Sequence, residues 1–184
     1  MSAHLKSFAS TLAGQITSQN PLYSDLKSGV FLHGATRLAI KTFLRDGLGN
    51  ALRVKGAQVV FLDLNPGTQE ISLAEVLAEI WGSLEDNGGK PCPNLLPDAV
   101  RAVTRSGKAL AILLDGIDHK APQKEHEALF KALKAARDAS NLWGGEQGPL
   151  LLVVAGTCKE RLLMLTSDRN EAFYCATMLT IPDG

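Results

Sequence analysis

Apolar residues along this chain gather into five short runs separated by longer amphipathic stretches. The runs are GVFLH (29–33), QVVFLDL (58–64), ALAILLD (109–115), PLLLVVAG (149–156) and TMLTI (177–181). The middle three barely alternate in polarity, which predicts strands covered on both faces. Between the runs, apolar positions recur at helical spacing and predict helices over 40–54, 71–86, 97–106 and 122–139. Pro122 opens the last of these, at the position where proline is favoured. On that helix Glu127 and Lys131 stand four apart on the polar side, and Leu129, Phe130 and Leu133 supply the apolar side. Ahead of the first run, Leu5, Phe8, Leu12 and Ile16 also keep helical spacing. They define an N-terminal helical segment, 1–27, before a core of 28–184.

Repeated strand–helix alternation predicts an α/β fold: a three-layer sandwich with a five-stranded parallel sheet between helices. The Gly/Pro-rich breaks at 86–97 and 144–149 read as surface loops within one domain. A chain of 184 residues is long enough to bury roughly 70% of its unfolded surface in one core.

Charge and composition narrow the function classes. The chain carries 19 basic and 19 acidic residues, mixed along its length, so a nucleic-acid partner has no electrostatic support. The first residues lack the basic and continuous apolar regions of a signal peptide. No stretch reaches the roughly 18 apolar residues of a membrane span. Three cysteines (Cys92, Cys158 and Cys175) without CxxC spacing suit free thiols in a reducing cytoplasm.

The first strand runs into VFLHGATRLAIKTFL (30–44), laid out as strand, short loop and helix. A phosphate-binding loop, G-x-x-x-x-G-K-[ST], needs glycines for close backbone approach, a lysine for the phosphates and a hydroxyl for Mg²⁺. Two registers are available. From Gly34, Ala39 falls at the second glycine, Ile40 at the lysine and Lys41 at the hydroxyl residue. From Ala35, Lys41 and Thr42 keep their roles, but Ala35 and Ile40 occupy the glycine positions. A β-branched residue at positive φ is a conformational outlier, so the second register fails at Ile40.

This stretch resembles the P-loop region of AAA-type and STAND-type bacterial ATPases. Aligned without gaps, Gly34, Arg37, Thr42, Phe43 and Leu44 match, while Ala39, Ile40 and Lys41 replace the glycine, lysine and Ser/Thr. The resemblance implies a P-loop NTPase-like core with a degenerate Walker A motif. Gly34, Arg37, Lys41, Thr42 and Thr157 would lie at the nucleotide. In AILLDGIDHK (111–120), similar to the acidic Walker B strand, Asp115 would hold Mg²⁺ and Asp118 would be the catalytic residue. His119 stands where a glutamate is usual. Thr157 falls at the sensor position after the fourth strand; equally, it caps the next helix. The chain stops at Gly184, after the fifth run: it is either the excised core of a longer protein or a core that works without the helical lid usual in such ATPases, and without a lid a gated ATPase cycle is harder to build.

Losing the lysine alone weakens phosphate binding about 10- to 100-fold, the worth of a charged hydrogen bond. Two functions follow. One is a pseudo-ATPase acting through another protein or through self-association; the other is an ATP-binding, Mg²⁺-dependent hydrolase with an unusual loop. Other chemistry has little support: His119 and His126 do not share a helical face, and Cys158 has no histidine partner visible in the sequence. His33 reads as a packing residue.

Overall fold

The computed structural model describes residues 1–64, 72–82, 92–117, 124–142, 147–167, 169 and 171–182, with the backbone alone at 124–126. The elements run α1 (Ala3–Ile16), a 3₁₀ segment (Pro21–Ser28), β1 (Val30–His33), α2 (Arg37–Thr42), a π-helical segment (Phe43–Gly49) and α3 (Asn50–Val54). Then follow β2 (Gln58–Asp63), α4 (Leu73–Gly82), α5 (Leu96–Thr104), β3 (Leu110–Asp115), α6 (Lys124–Leu142), β4 (Leu150–Gly156), α7 (Lys159–Ser167) and β5 (Thr177–Thr180). The five strands form one sheet in the order β2-β3-β4-β1-β5, every pair parallel.

That order explains how the helices divide. The first crossover runs from β1 outward past β4 and β3 to the far edge, and the later ones step back the other way. Because such crossovers are right-handed, reversing direction moves the helix to the opposite face. Two apolar clusters record this. One joins α1, α2, the π segment and α3 to Leu32, Leu113 and Val153; the other joins α4 to α7 to Phe31, Ile112 and Leu152. The result is the three-layer α/β sandwich that the hydrophobic pattern predicts.

All residues of β3 and β4 are buried. β2 differs from the prediction of two covered faces: Val60 and Leu62 are buried, but Val59, Phe61 and Asp63 are only half-buried. It is an edge strand, and the Arg45 guanidinium lies 5.0 Å from the Phe61 ring centre where a helix would otherwise pack.

Helix limits also shift. The helix after β1 begins at Arg37, not at 40, because Thr36 caps it. The helices after β2 and β3 lie within the predicted stretches or extend them by a few residues, and Pro122 falls outside the described residues. Leu129, Phe130 and Leu133 are buried as the pattern requires, and Lys131 Nζ meets Glu127 Oε1 at 2.6 Å. α1 packs on the π segment, where a Cβ on Gly47 would come within 2.9 Å of Met1 Sδ. Among the described residues, no helix is long and apolar enough to cross a membrane.

Candidate functional site

In open parallel sheets, ligands bind beyond the carboxyl ends of the strands, where neighbouring connections leave on opposite faces. Here that point lies between β1, which leads to α2 on one face, and β4, which leads to α7 on the other. Gly34 and Thr157 stand there, one after each strand.

The strand ends are tied together across this point. Gly34 N–H donates to the Gly156 carbonyl at 3.2 Å, and Ile181 N–H donates to the His33 carbonyl at 2.8 Å. His33 Nε2 lies 3.1 Å from the Thr157 carbonyl, which can only accept, so this nitrogen carries the proton. His33 is thus half-buried and used as a brace.

The loop itself is three residues long. Thr36 is extended (φ −136°, ψ 151°) and its hydroxyl accepts from Ala39 N–H at 3.2 Å, while its carbonyl accepts from Ile40 N–H at 3.0 Å. Capping by Thr36 therefore occupies amides that a phosphate-binding loop would aim at its ligand. Such a cradle also needs left-handed residues. Among the described residues these are Gly29, Gly56, Gly107, Gly116 and Cys175, none of them in 34–42.

Gly34 serves space instead. A Cβ on it would stand 2.6 Å from Ile40 Cγ1 and 3.3 Å from Ile181 Cδ1. Ile40 is fully buried, its side chain folded back over the end of β1. Arg37, in the first helical turn, is half-buried, and its Nη2 has no hydrogen-bond partner among the described residues.

A second group forms at the ends of β2 and β3. Strand register places Asp63 beside Asp115, and Leu64 N–H donates to the Asp115 carbonyl at 2.8 Å. Both side chains share the face of α2, by alternation from Phe61 and Leu113 in that face's cluster. Asp115 is 3% exposed. Lys41, at the end of α2, meets Asp63 Oδ2 at 2.7 Å. With side chains 40% and 20% exposed, this pair contributes at most about 1 kcal/mol of stability. Its importance is positional: the ammonium is directed to the strand ends. Thr42 is half-buried beside it. Asp118 lies outside the described residues.

No protein-family model matches the chain, and no curated protein matches it. The site is therefore read from its own chemistry.

Asp63 was not singled out from sequence, although a signal existed: FLD at 61–63 repeats the pattern of LLD at 113–115, an apolar strand ending in aspartate. Thr157 is not the cap of α7. Leu162 N–H donates to the Cys158 carbonyl at 3.1 Å, which makes Cys158 the residue at the helix start. The Cys158 thiol lies 3.6 Å from Glu160 Oε2. The Glu160 carboxyl is held below its usual range by its own backbone N–H first, then by this thiol and by the nearby His33 and Lys159 charges.

A nucleotide triphosphate with Mg²⁺ fits these residues poorly. The lysine position is a buried isoleucine, the hydroxyl position is a lysine already paired with Asp63, and the backbone cradle is closed by the Thr36 cap. Among the described residues, no three His, Cys, Asp or Glu side chains converge as a metal site.

Proposed function

We propose that this chain is a degenerate P-loop NTPase-fold domain that does not hydrolyse nucleotide and acts, in the cytoplasm, as a protein-interaction or regulatory module. The observation that carries this reading is Ile40 folded over Gly34, where a phosphate-binding loop needs open space and a lysine. Lys41 supports it: a fixed ammonium beside Asp63, one strand from Asp115, supplies positive charge where Mg²⁺ would stand in an active relative. Loss of those parts removes most of the catalytic means, because phosphoryl transfer relies on positioning and charge stabilisation.

A surface for another protein or a second copy is offered on the same loop. Leu38 is 77% exposed in the first turn of α2, beside exposed Ala35 and Ala39. An ATP-hydrolysing domain is the second reading, favoured by the unpartnered Arg37 Nη2 and by the two strand-end aspartates. Phosphate release from Mg-ATP separates the two. The wild-type protein should release none above the protein-free rate, and turnover abolished by Asp115→Asn would establish the hydrolase. In parallel, sedimentation of wild type and Leu38→Glu tests self-association, with assembly expected to be lost in the variant if a second copy is the partner.

A further inference from the structure

The sheet has two edges, and they are finished differently. An edge strand leaves a row of backbone N–H and C=O groups open to any other strand, and charged side chains along it are the usual guard. β2 carries that guard. It ends in Asp63, the Arg45 guanidinium covers Phe61, and Arg53 and Glu79 line the groove beside it. β5 carries none: from Ala172 to Pro182 the chain holds no charged residue. Thr177, Met178 and Leu179 are only half-buried, and Thr180 is exposed.

Among the described residues, β5 pairs with β1 alone. Thr177 N–H donates to the Gly29 carbonyl at 2.9 Å, and Ile181 N–H to the His33 carbonyl at 2.8 Å. Alternation therefore turns the N–H and C=O of Met178 and Thr180 away from β1, toward the open side. Apolar surface flanks that side. α7 leads from β4 to β5 and packs on β1, so it is the helix of its face nearest this edge, and it exposes Leu163 and Met164. Tyr174, just ahead of β5, is also exposed.

We propose that β5 pairs with β5 of a second copy of this chain, antiparallel about a two-fold axis at Leu179. This register sets Met178 opposite Thr180 of the other copy, and each such pair exchanges both backbone bonds. The axis stands normal to the sheet, joins two five-stranded sheets into one and keeps both α7 helices on the same face. Three strand spacings, about 14 Å, then separate those helices, against a helix diameter of about 10–12 Å with side chains. The narrow gap is left for Leu163, Met164 and Tyr174 to fill. A second copy also suits this edge in charge. A neutral strand faces a neutral strand, whereas an acidic or basic strand would find no counter-charge there. The proposal deepens the interaction reading above, on a surface separate from Leu38 and from the strand-end aspartates.

The test is sedimentation of the full chain from micromolar to submillimolar concentration. Wild type should form a dimer. Thr180→Pro removes an outward donor without touching a bond to β1, and should weaken the dimer roughly tenfold or more. Thr180→Lys, at an exposed position, should weaken it likewise, and it decides the matter should the proline variant fail to fold by circular dichroism. Leu38→Glu should leave the dimer intact. In a Cys92→Ser/Cys158→Ser/Cys175→Ser background, Leu179→Cys should be trapped as a disulfide-linked dimer on mild oxidation, and Thr177→Cys should not, because only residue 179 faces its own copy. Wild type monomeric throughout, a dimer indifferent to the Thr180 changes, or equal cross-linking at 177 and 179 overturns the proposal. A dimer lost only in Leu38→Glu overturns it while sustaining the interaction reading. Conversely, Mg-ATP turnover would sink that reading and leave a Thr180-dependent dimer standing.

Discussion

The two ends of this sheet have been treated in opposite ways. At the carboxyl end, the place where α/β folds usually hold ligand, a three-residue loop is capped by Thr36 and packed shut by Ile40 and Ile181. At the amino end, where such folds usually bind nothing, a cleft lined by Lys27, Lys55 and Lys108 stays open. The lesson is that topology offers a binding crevice but does not fill it with chemistry. Whether the crevice works depends on a few side chains, here on an isoleucine where a lysine would be needed.

If Ile40 is core rather than site, removing it must cost stability as a core residue does. Ile40→Ala should destabilise the fold by about 2–5 kcal/mol, read from urea unfolding, without changing any ligand binding. A loss within the noise of that measurement would mean that the crevice is not closed by packing. Gly34→Ala follows in size. Its new methyl would meet Ile40 Cγ1 at 2.6 Å, an overpacking that costs about 1–3 kcal/mol. The double variant Gly34→Ala/Ile40→Ala should recover part of the loss, since the clash partner is gone.

A smaller effect sharpens the contrast between two helix starts at this same end. α4 opens with a reciprocal capping box: Ser72 N–H donates to Glu75 Oε2 at 2.6 Å, and Glu75 N–H donates to Ser72 Oγ at 3.2 Å. The α2 start has only the Thr36 half of such a pair. Ser72→Ala should therefore cost about 1 kcal/mol at neutral pH. The Ser72 backbone N–H, then its hydroxyl, hold the Glu75 carboxyl below its ordinary value. A depressed carboxylate stabilises fully above its unfolded pKa of about 4.3 and loses that contribution as pH falls through the lower folded value. The difference between wild type and Ser72→Ala should accordingly narrow in acid, whereas the effect of Thr36→Ala, which involves no carboxylate, should not change. Equal pH dependence in both would show that the Ser72 hydroxyl does not help to hold Glu75 ionised.

Much of the fold was legible because burial writes itself as periodicity. Continuous runs such as ILLD and LLLVV mark strands with no solvent side, and Leu129, Phe130 and Leu133 mark the buried stripe of a helix. What periodicity does not carry is strand order. It therefore hid that β2 lies at an edge with Phe61 half-buried, and that β1 and β4 are neighbours although β1 ends at His33 and β4 begins only at Leu150. The start of α2 was missed because Ala35, Thr36 and Arg37 show no apolar period; only the hydroxyl of Thr36 signals it, and threonine also occurs freely in loops. For the site, the residue types were readable but their pairing was not. Lys41 was a candidate phosphate ligand by type, and only the sheet register that sets Asp63 beside Asp115 reveals an acidic group for it to meet.

The central proposal is that the carboxyl end does not grip Mg-nucleotide. The most direct measurement is calorimetric titration of ATP with and without Mg²⁺ into wild type, Lys41→Ala and Asp115→Asn. The account predicts that Mg²⁺ adds no binding and that neither substitution alters whatever heat ATP gives. Binding strengthened by Mg²⁺ and weakened by both substitutions would contradict it, and would make this an active nucleotide site with a non-standard loop.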